Sequence, residues 1–492
     1  MKSENRGKPN IILIVIDALR ARNLGCYGGD SGASPNLDKI AGKSVLFKNV
    51  YSCWNTTDQS LTSILSGRYP RTHGIIHHGD KIKPEDITTY NNLDIKLLSQ
   101  ILQQNGYKTF AIDWMDRWFN KGFDYYGYKP GGNFFRKFFY CFFTLPYVHL
   151  KYIFANFSLL KIYSKKRKSS VRSKWKGLRD VLRTFRFTFE LARIQDAGYV
   201  TGLAEDIIHK AKNDNFFLFL HYWDTHSPYN CPRKYYKKKK QRVSQKEILE
   251  SKYCGAVSYV DQQMGRLFDI LKQEELLDDT LVIITSDHGE SLTEHDIFFD
   301  HHGLYEVTTH VPLLLFSPKT FSRAKEVLGF VQHIDLAPTI CEMLNIDHEN
   351  YDFDGLSLFP LINGEKDEIR DFVFNEESYV QRKVGLRMKD FKYIYAPDGV
   401  GMCNYCQKVH AGVEELYELE KDPVEINNIA DENKEKAAEM RQRLDGFVKK
   451  LNNKRNSILK QGYRRGDISE DKKKFKEDKK IRKKLRSLGY MD

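Results

Sequence analysis

The chain has 492 residues, 41% of them hydrophobic and 13% aromatic, enough to bury a large core in two or three domains. That balance excludes a disordered or collagen-like chain, and eight cysteines spread along the length are too few for a disulfide scaffold. A formal net charge of +13 favours anionic partners: sulfated or phosphorylated substrates, acidic lipid surfaces or nucleic acid, of which nucleic acid is not expected from the motifs along the chain.

Taken in chain order, the N-terminus from Met1 to Lys8 is polar. The first apolar run, Ile11 to Ile16, is far shorter than the ~18 residues of a membrane span and carries no small-residue cleavage site. The chain therefore reads as cytoplasmic, with no signal peptide or transmembrane helix. The run is continuous rather than alternating, as in a parallel strand covered on both faces, and it ends at Asp17. Leu93 to Gln104 reads as a helix before the turn at Asn105-Gly106. Phe134 to Arg186 is rich in aromatic and then basic residues, in the combination an interfacial membrane segment uses. Its simpler reading is a lid or insertion at about 130–195 covering a site.

Phe216 to Leu220 is a second continuous run, leading into His221, Asp224 and His226. The run Lys237 to Lys240 reads as a solvated loop. Ala256 to Gln273 is an amphipathic helix, with Val257, Val260, Met264, Leu267 and Leu271 on one stripe. Leu281 to Ile284 is a third run, ending in Asp287 and His288. Alternating strands and helices favour an α/β fold with a mostly parallel sheet between helices, and such sheets bind ligands beyond the carboxyl ends of their strands. Three strands ending in carboxylates and imidazoles point to one shared site.

After about residue 365 the pattern changes. Asp371–Phe374, Lys383–Arg387 and Phe391–Tyr395 read as a small antiparallel sheet, followed by a charged helix from Asn433 to Leu451 and a polar tail from 454 to 492. The division expected is a catalytic domain over 1–365, a small C-terminal α+β domain over 366–453, and the tail. Cys403, Cys406 and His410 form C-x2-C-x3-H, which suits zinc in ligand type but lacks a fourth ligand; incidental cysteines in a loop are the simpler reading.

Transfer of a sulfuryl or phosphoryl group needs a cation on the non-bridging oxygens, an in-line nucleophile and donors for the developing charge. Asp17 and the segment Ser286-Asp287-His288-Gly289-Glu290, each directly after an apolar strand, suit the cation, with Gly289 letting the backbone turn tightly beneath it. A wider set of motifs supports this. It comprises Leu24-Gly25-Cys26-Tyr27-Gly28, Ser34-Pro35-Asn36-Leu37-Asp38 and Leu65-Ser66-Gly67-Arg68-Tyr69-Pro70. Further along come His221-Tyr222-Trp223-Asp224-Thr225-His226-Ser227-Pro228, Leu304-Tyr305-Glu306 and Glu415-Leu416-Tyr417-Glu418-Leu419. In these segments, and in this order, the chain resembles the sulfatase family of the alkaline-phosphatase superfamily over nearly its whole length. The resemblance implies an alkaline-phosphatase-like sandwich, a large mixed, mostly parallel sheet between helices with a small antiparallel C-terminal sheet.

The resemblance also implies site residues. The family's nucleophile lies ten residues before Gly67, at Thr57, where a sulfatase carries a cysteine converted to formylglycine. Thr57-Asp58-Gln59-Ser60-Leu61 holds none of the Cys-x-Pro-x-Arg pattern. Threonine there looks like the metal-bound nucleophile of related phosphatases and phospho-group transferases. Thr56 is the neighbour a one-residue shift would promote, Cys53 lies nearby, and a helix N-cap is the structural role Thr57 would suit. The metal set implied is Asp17, Thr57, Asp287 and His288. Ala18 replaces a frequent second Asp and His288 a frequent Asn, which favours zinc or manganese with calcium or magnesium as alternatives. His226 matches the anion-binding histidine, and His301 and His302 both lie in range of another. Asp113-Trp114-Met115 stands where sulfatases carry Lys-Trp-His. Phosphate esters are therefore favoured over sulfate esters. The alternatives are a membrane-surface phospho-group transferase acting on a lipid or polysaccharide, and a weakly catalytic sulfatase-like protein that binds an anionic glycan.

Overall fold

The structure is a computed structural model and describes residues 8–115, 117–127, 196–229, 231–235, 244–321, 323–402 and 408–465. Its strands are β1 (Asn10–Ile16), β2 (Val45–Phe47), β3 (Val50–Tyr51), β4 (Lys108–Ile112), β5 (Tyr125–Tyr126), β6 (Phe216–Tyr222) and β7 (Thr280–Thr285). They continue with β8 (Leu313–Phe316), β9 (Lys325–Val327), β10 (Val331–Gln332), β11 (Phe372–Glu377), β12 (Lys383–Met388), β13 (Phe391–Tyr395) and β14 (Glu414–Glu418). The helices used below are α1 (Pro35–Ala41), α2 (Thr57–Ser66), α3 (Leu98–Gln104), α4 (Ala197–Ala211), α5 (Gln245–Gln273), α6 (Leu336–Met343) and α7 (Lys434–Arg465).

Eight strands form the main sheet in the order β5-β4-β6-β1-β7-β8-β2-β9. Only β8 runs against its neighbours. The three continuous apolar runs are the central strands β6, β1 and β7. In β1, Ile11, Leu13 and Val15 enter one core with α2, α3 and α6. Ile12, Ile14 and Ile16 enter the other core, against α1, α4 and α5. Each side chain so buried contributes about 1.5–3 kcal/mol, and a strand with two covered faces needs apolar residues at every position.

The helix expected from Leu93 starts only at Leu98; Leu93, Ile95 and Leu97 reach the core from a non-helical segment. The α5 helix begins at Gln245, eleven residues before the expected start at Ala256. Ser244 and Glu247 cap it reciprocally: Glu247 N–H donates to Ser244 Oγ at 3.2 Å, and Ser244 N–H to the Glu247 carboxylate at 2.9 Å.

The C-terminal sheet has the antiparallel order β11-β12-β13-β14. Its fourth strand, β14, was not among the three expected. Phe374, Leu386, Tyr393 and Leu416 pack on Ala437, Met440, Leu444 and Leu451 of α7, together with Cys53, Tyr69 and Ile334 of the main domain. The helix continues past Leu451 to Arg465 because its charges find partners: Lys454 Nζ lies 2.9 Å from Asp352 and 2.7 Å from Asp354. The lid or membrane-contact segment, the run Lys237 to Lys240, Cys403, Cys406 and the tail beyond 465 lie outside the described residues. No helix among the described residues is long and apolar enough to cross a membrane.

Candidate active site

Parallel register gathers the site. Val15 of β1 pairs with His221 on one side and Thr285 on the other. Asp17 and Asp287 each lie two residues past that level, so both emerge with His221 at the carboxyl edge of the sheet. Asp17, His221 and Asp287 are buried, and one ligand atom from each lies within 4.8 Å of the others. His221 Nε2 is 3.4 Å from Asp17 Oδ2. His288 Nε2 is 3.4 Å from Asp287 Oδ2 and 3.8 Å from Asp17 Oδ1. Thr57 Oγ1 is 3.4 Å from both Asp17 Oδ2 and His288 Nε2. Asp17, Thr57, Asp287 and His288 thus meet in one cluster.

Neither His221, expected only as a strand-end imidazole, nor Asp113, expected only where sulfatases carry Lys-Trp-His, was among the metal-site residues expected. The signal for His221 was present, since it ends an apolar run as Asp17 does. Its Nδ1 is 2.8 Å from Asp113 Oδ1, and the Tyr126 hydroxyl donates to the other Asp113 oxygen. A carboxylate behind an imidazole fixes the tautomer and leaves Nε2 for the site. Asp113 therefore faces a histidine, not a substrate anion.

The donor set fits a dication. Asp17 Oδ1, Asp287 Oδ2 and His221 Nε2 are all buried without a hydrogen-bond partner, a costly arrangement unless a cation satisfies them. Burial disfavours charge on His221, but the hydrogen bond to Asp113 and the nearby charges of Asp113 and Asp17 outweigh it and push the ring up to about 10. A cation at this point would take the place of that proton. Burial raises the Asp287 carboxyl above its ordinary value, although His221 and the amides of Ala18 and His288 oppose it. Burial likewise lowers His288 to about 4, so its ring is neutral and suited to ligation.

The backbone around these residues is tightly set. Ala18 has φ 55°, in the left-handed region. Its N–H donates to Asp287 Oδ1 at 3.0 Å, and its carbonyl accepts from Tyr253 Oη at 2.8 Å. Strain of order 1–3 kcal/mol is thus held by the site's own hydrogen bonds. Gly289 is required for a reason other than a tight turn: a Cβ there would sit 2.1 Å from the Val307 carbonyl oxygen.

Thr57 is the first residue of α2, while Thr56 occupies the N-cap. Thr56 makes no side-chain cap; its hydroxyl turns to Gln59, leaving the first-turn amides and the positive end of the helix beside Thr57. Cys53 lies in the core between the two domains with its thiol pushed up by burial, far from a reactive thiolate. Asp58 is buried beside Arg117 at 3.3 Å and His78 at 3.0 Å; burial opposes its charge, but these partners hold it down at about 2.

Three imidazoles lie along one side. The His301 ring is 4.4 Å from His288 and 5.8 Å from His226, and it stacks on Tyr379 at 5.1 Å. Burial first, then the neighbouring His288, His226 and His78, push His301 well below the usual histidine range. His226 is half-buried, stacked 4.4 Å from Trp223, with Nδ1 2.8 Å from the Ser227 carbonyl. His302 packs apart from this row, 3.3 Å from Asp300 and 5.1 Å from the His410 ring.

A hydroxyl beside a cation cradle, at a helix N-terminus and facing imidazoles, is equipped for displacement at a tetrahedral oxyanion. The sulfatase family model matches residues 9–346, and that of the C-terminal part of N-sulphoglucosamine sulphohydrolase matches residues 293–454. The N-acetylglucosamine-6-O-sulfatase of Bacteroides thetaiotaomicron is 24% identical, with 87% of this chain and 84% of the relative aligned. The arylsulfatase of Clostridium perfringens is 23% identical over 94% of this chain and 97% of its own. A solved protein in complex with its substrate D-glucosamine-2-N,6-O-disulfate superposes with TM-score 0.64 and 18% identity, covering 91% of this chain and 98% of the other. The phosphonate monoester hydrolase of Agrobacterium radiobacter gives TM-score 0.61 and 18% identity, covering 92% and 96%. At these identities the two structures establish the shared fold. With more than half its length matched by the family model, the chain belongs to the sulfatase family of ester hydrolases.

Proposed function

We propose that this chain hydrolyses a phosphate or sulfate ester, phosphate preferred, with Thr57 as nucleophile. The observation that carries this reading is the Thr57 hydroxyl, 3.4 Å from Asp17 and from His288 at the start of α2, with no cysteine at its position. Asp17, Asp287, His288 and His221 would hold the metal, with Thr57 as a further ligand. Two imidazoles beside two carboxylates favour zinc or manganese over calcium or magnesium. When bound, the ion supplies Lewis-acid stabilisation of the oxyanion and a lower pKa for the Thr57 hydroxyl.

The chain's own groups account for the remaining steps. Thr57 Oγ bonds to phosphorus or sulfur as the bond to the leaving oxygen breaks, with Asp17 Oδ2, 3.4 Å away, to take the hydroxyl proton. His226 has Nδ1 committed to Ser227 and retains Nε2 for the leaving oxygen. His301 has Nδ1 committed to the Asn55 carbonyl at 2.7 Å and retains Nε2 for the non-bridging oxygens or the attacking water. Water then cleaves the Thr57 ester and releases the inorganic anion. Of the two adjacent histidines, His301 takes this role. The N-acetylglucosamine-6-O-sulfatase and the glucosamine disulfate bound in a fold neighbour support a glycan-linked ester as the substrate class.

Metal analysis paired with assays on an aryl phosphate, a phosphodiester and an aryl sulfate tests the reading. Phosphate turnover is expected to exceed sulfate turnover, and Thr57→Ala is expected to lose at least about 10³-fold in kcat. Full activity in Thr57→Ala overturns the nucleophile, and turnover confined to sulfate overturns the preference. Anion binding without turnover on any ester supports a weakly catalytic binding protein instead.

A further inference from the structure

The site rests on a residue from the other domain. Asn55, two residues before Thr57, is buried, and its backbone carbonyl accepts the hydrogen bond from His301 Nδ1. Its side-chain amide nitrogen donates to the His301 carbonyl at 2.8 Å and lies 3.2 Å from the Gly303 carbonyl. The same nitrogen is 2.6 Å from Glu377 Oε2, which also accepts from the Gly303 N–H at 2.8 Å. Glu377 is the last residue of β11, in the C-terminal sheet, and is itself buried. One carboxylate oxygen therefore ties together the segment that leads into the nucleophile and the segment that carries His301.

The neighbours of Glu377 reinforce the same attachment. Glu376 pairs with Arg71 and bridges to Trp54, Ser378 Oγ donates to the Ile76 carbonyl, and Tyr379 forms the platform under the His301 ring. Asn55 reaches His301 and Gly303 directly, and Glu377 holds the Asn55 amide and the Gly303 N–H at one oxygen, so the bridge is fixed at both ends. An anionic acceptor makes each of these bonds shorter and stronger than a neutral one.

We propose that Glu377 is a positioning residue for the reaction, setting Thr57 and the His301 ring relative to each other through Asn55, so that the C-terminal sheet completes the active site. The inference rests on the reading in which Thr57 and His301 act on the ester. It assigns Glu377 no contact with substrate.

The test is a double-mutant cycle read on kcat and KM with the ester the wild type turns over best, together with the ring resonance of His301 in histidine-labelled protein. Glu377→Leu is expected to lower kcat by about 100-fold with little change in KM, as a displacement of about 1 Å would. Glu377→Gln keeps an oxygen for both donors and is expected to recover at least about tenfold of that loss. In a His301→Ala background the same Glu377→Leu change is expected to cost less than about threefold, because the ring it positions is gone. An equal cost with and without the His301 ring overturns the proposal, since a general loss of structure gives that result. The slowly exchanging Nδ1–H resonance of His301 is expected to vanish in Glu377→Leu and persist in Glu377→Gln. This readout needs no turnover, so it separates failure of the positioning idea from failure of Thr57 as nucleophile. If Glu377→Leu does not fold, Asn55→Ala breaks the same bridge from the other side; an unmoved His301 resonance in that variant overturns the proposal.

Discussion

Two regions of this molecule bury charge, and they do so in opposite ways. At the joint between the domains, Lys392 Nζ sits 3.1 Å from Glu306 and 2.8 Å from Glu425, with Arg387 3.5 Å from Glu306. Nearby, Lys383 lies 3.1 Å from Glu415. Lys392 is shared by Glu306 and Glu425, Arg387 adds to Glu306 and Lys383 serves Glu415, so each carboxylate in this set has a cation beside it. Burial opposes charge on Glu306, but Lys392 and Arg387 outweigh it and hold the carboxyl below its ordinary value. At the sheet edge, Asp17 and Asp287 have only imidazoles beside them and keep oxygens with no hydrogen-bond partner. Burying a carboxylate costs several kcal/mol wherever it occurs. At the joint the charge is met by cations of the chain and serves the fold; at the sheet edge it is left open, as a group held for a bound cation would be.

Four experiments break or sharpen that contrast. The largest effect is expected at the open cluster: Asp17→Asn should lower kcat by about 10³-fold, as loss of several kcal/mol of metal-derived stabilisation would. In chelator-treated protein the same variant should unfold at an equal or higher temperature, because an unpaired buried charge has been removed. A fall in that melting temperature would make the cluster structural. At the paired network the signs reverse. Lys392→Met leaves Glu425 without its cation and Glu306 with Arg387 alone, and should cost about 3–5 kcal/mol in denaturant unfolding, with the kcat of the folded fraction nearly unchanged.

Asp113→Asn tests the support behind the cluster. It should weaken metal affinity by about 10–100-fold, measured by competition with a chromophoric chelator, and should also lower metal-free stability, because the buried His221 ring loses the carboxylate that holds its charge. The smallest effect concerns Asp58, a paired charge beside the open cluster. Its folded value of about 2 lies below the ordinary 3.8 because Arg117 and His78 overcome the penalty of burial. That stability is fully present above about pH 3.8 and is lost as pH falls through 2. Acid unfolding should therefore show a loss of about 2 kcal/mol across that window that Asp58→Asn lacks.

The sequence determined the central strands, because a strand with helices on both faces must be apolar at every position, and β1, β6 and β7 could be read directly. It also determined which chemistry follows them, since Asp17, Asp287 and His288 come immediately after runs that can only be core. Motif spacing brought Thr57 into consideration, and the N-terminus of α2 accounts for why a hydroxyl there suits an anion. What local pattern could not carry was partnership across the fold. His221 became part of the cluster only when the register of β6 against β1 set it opposite Val15, two residues before Asp17. His301 and His302 are adjacent and chemically identical, and tertiary packing alone turned one toward His288 and the other toward Asp300. The extension of α7 beyond Leu451 depended on acidic partners about a hundred residues away. Glu377 carries no motif at all: its place beside Asn55 and Gly303 was decided by how the small sheet docks on the large one.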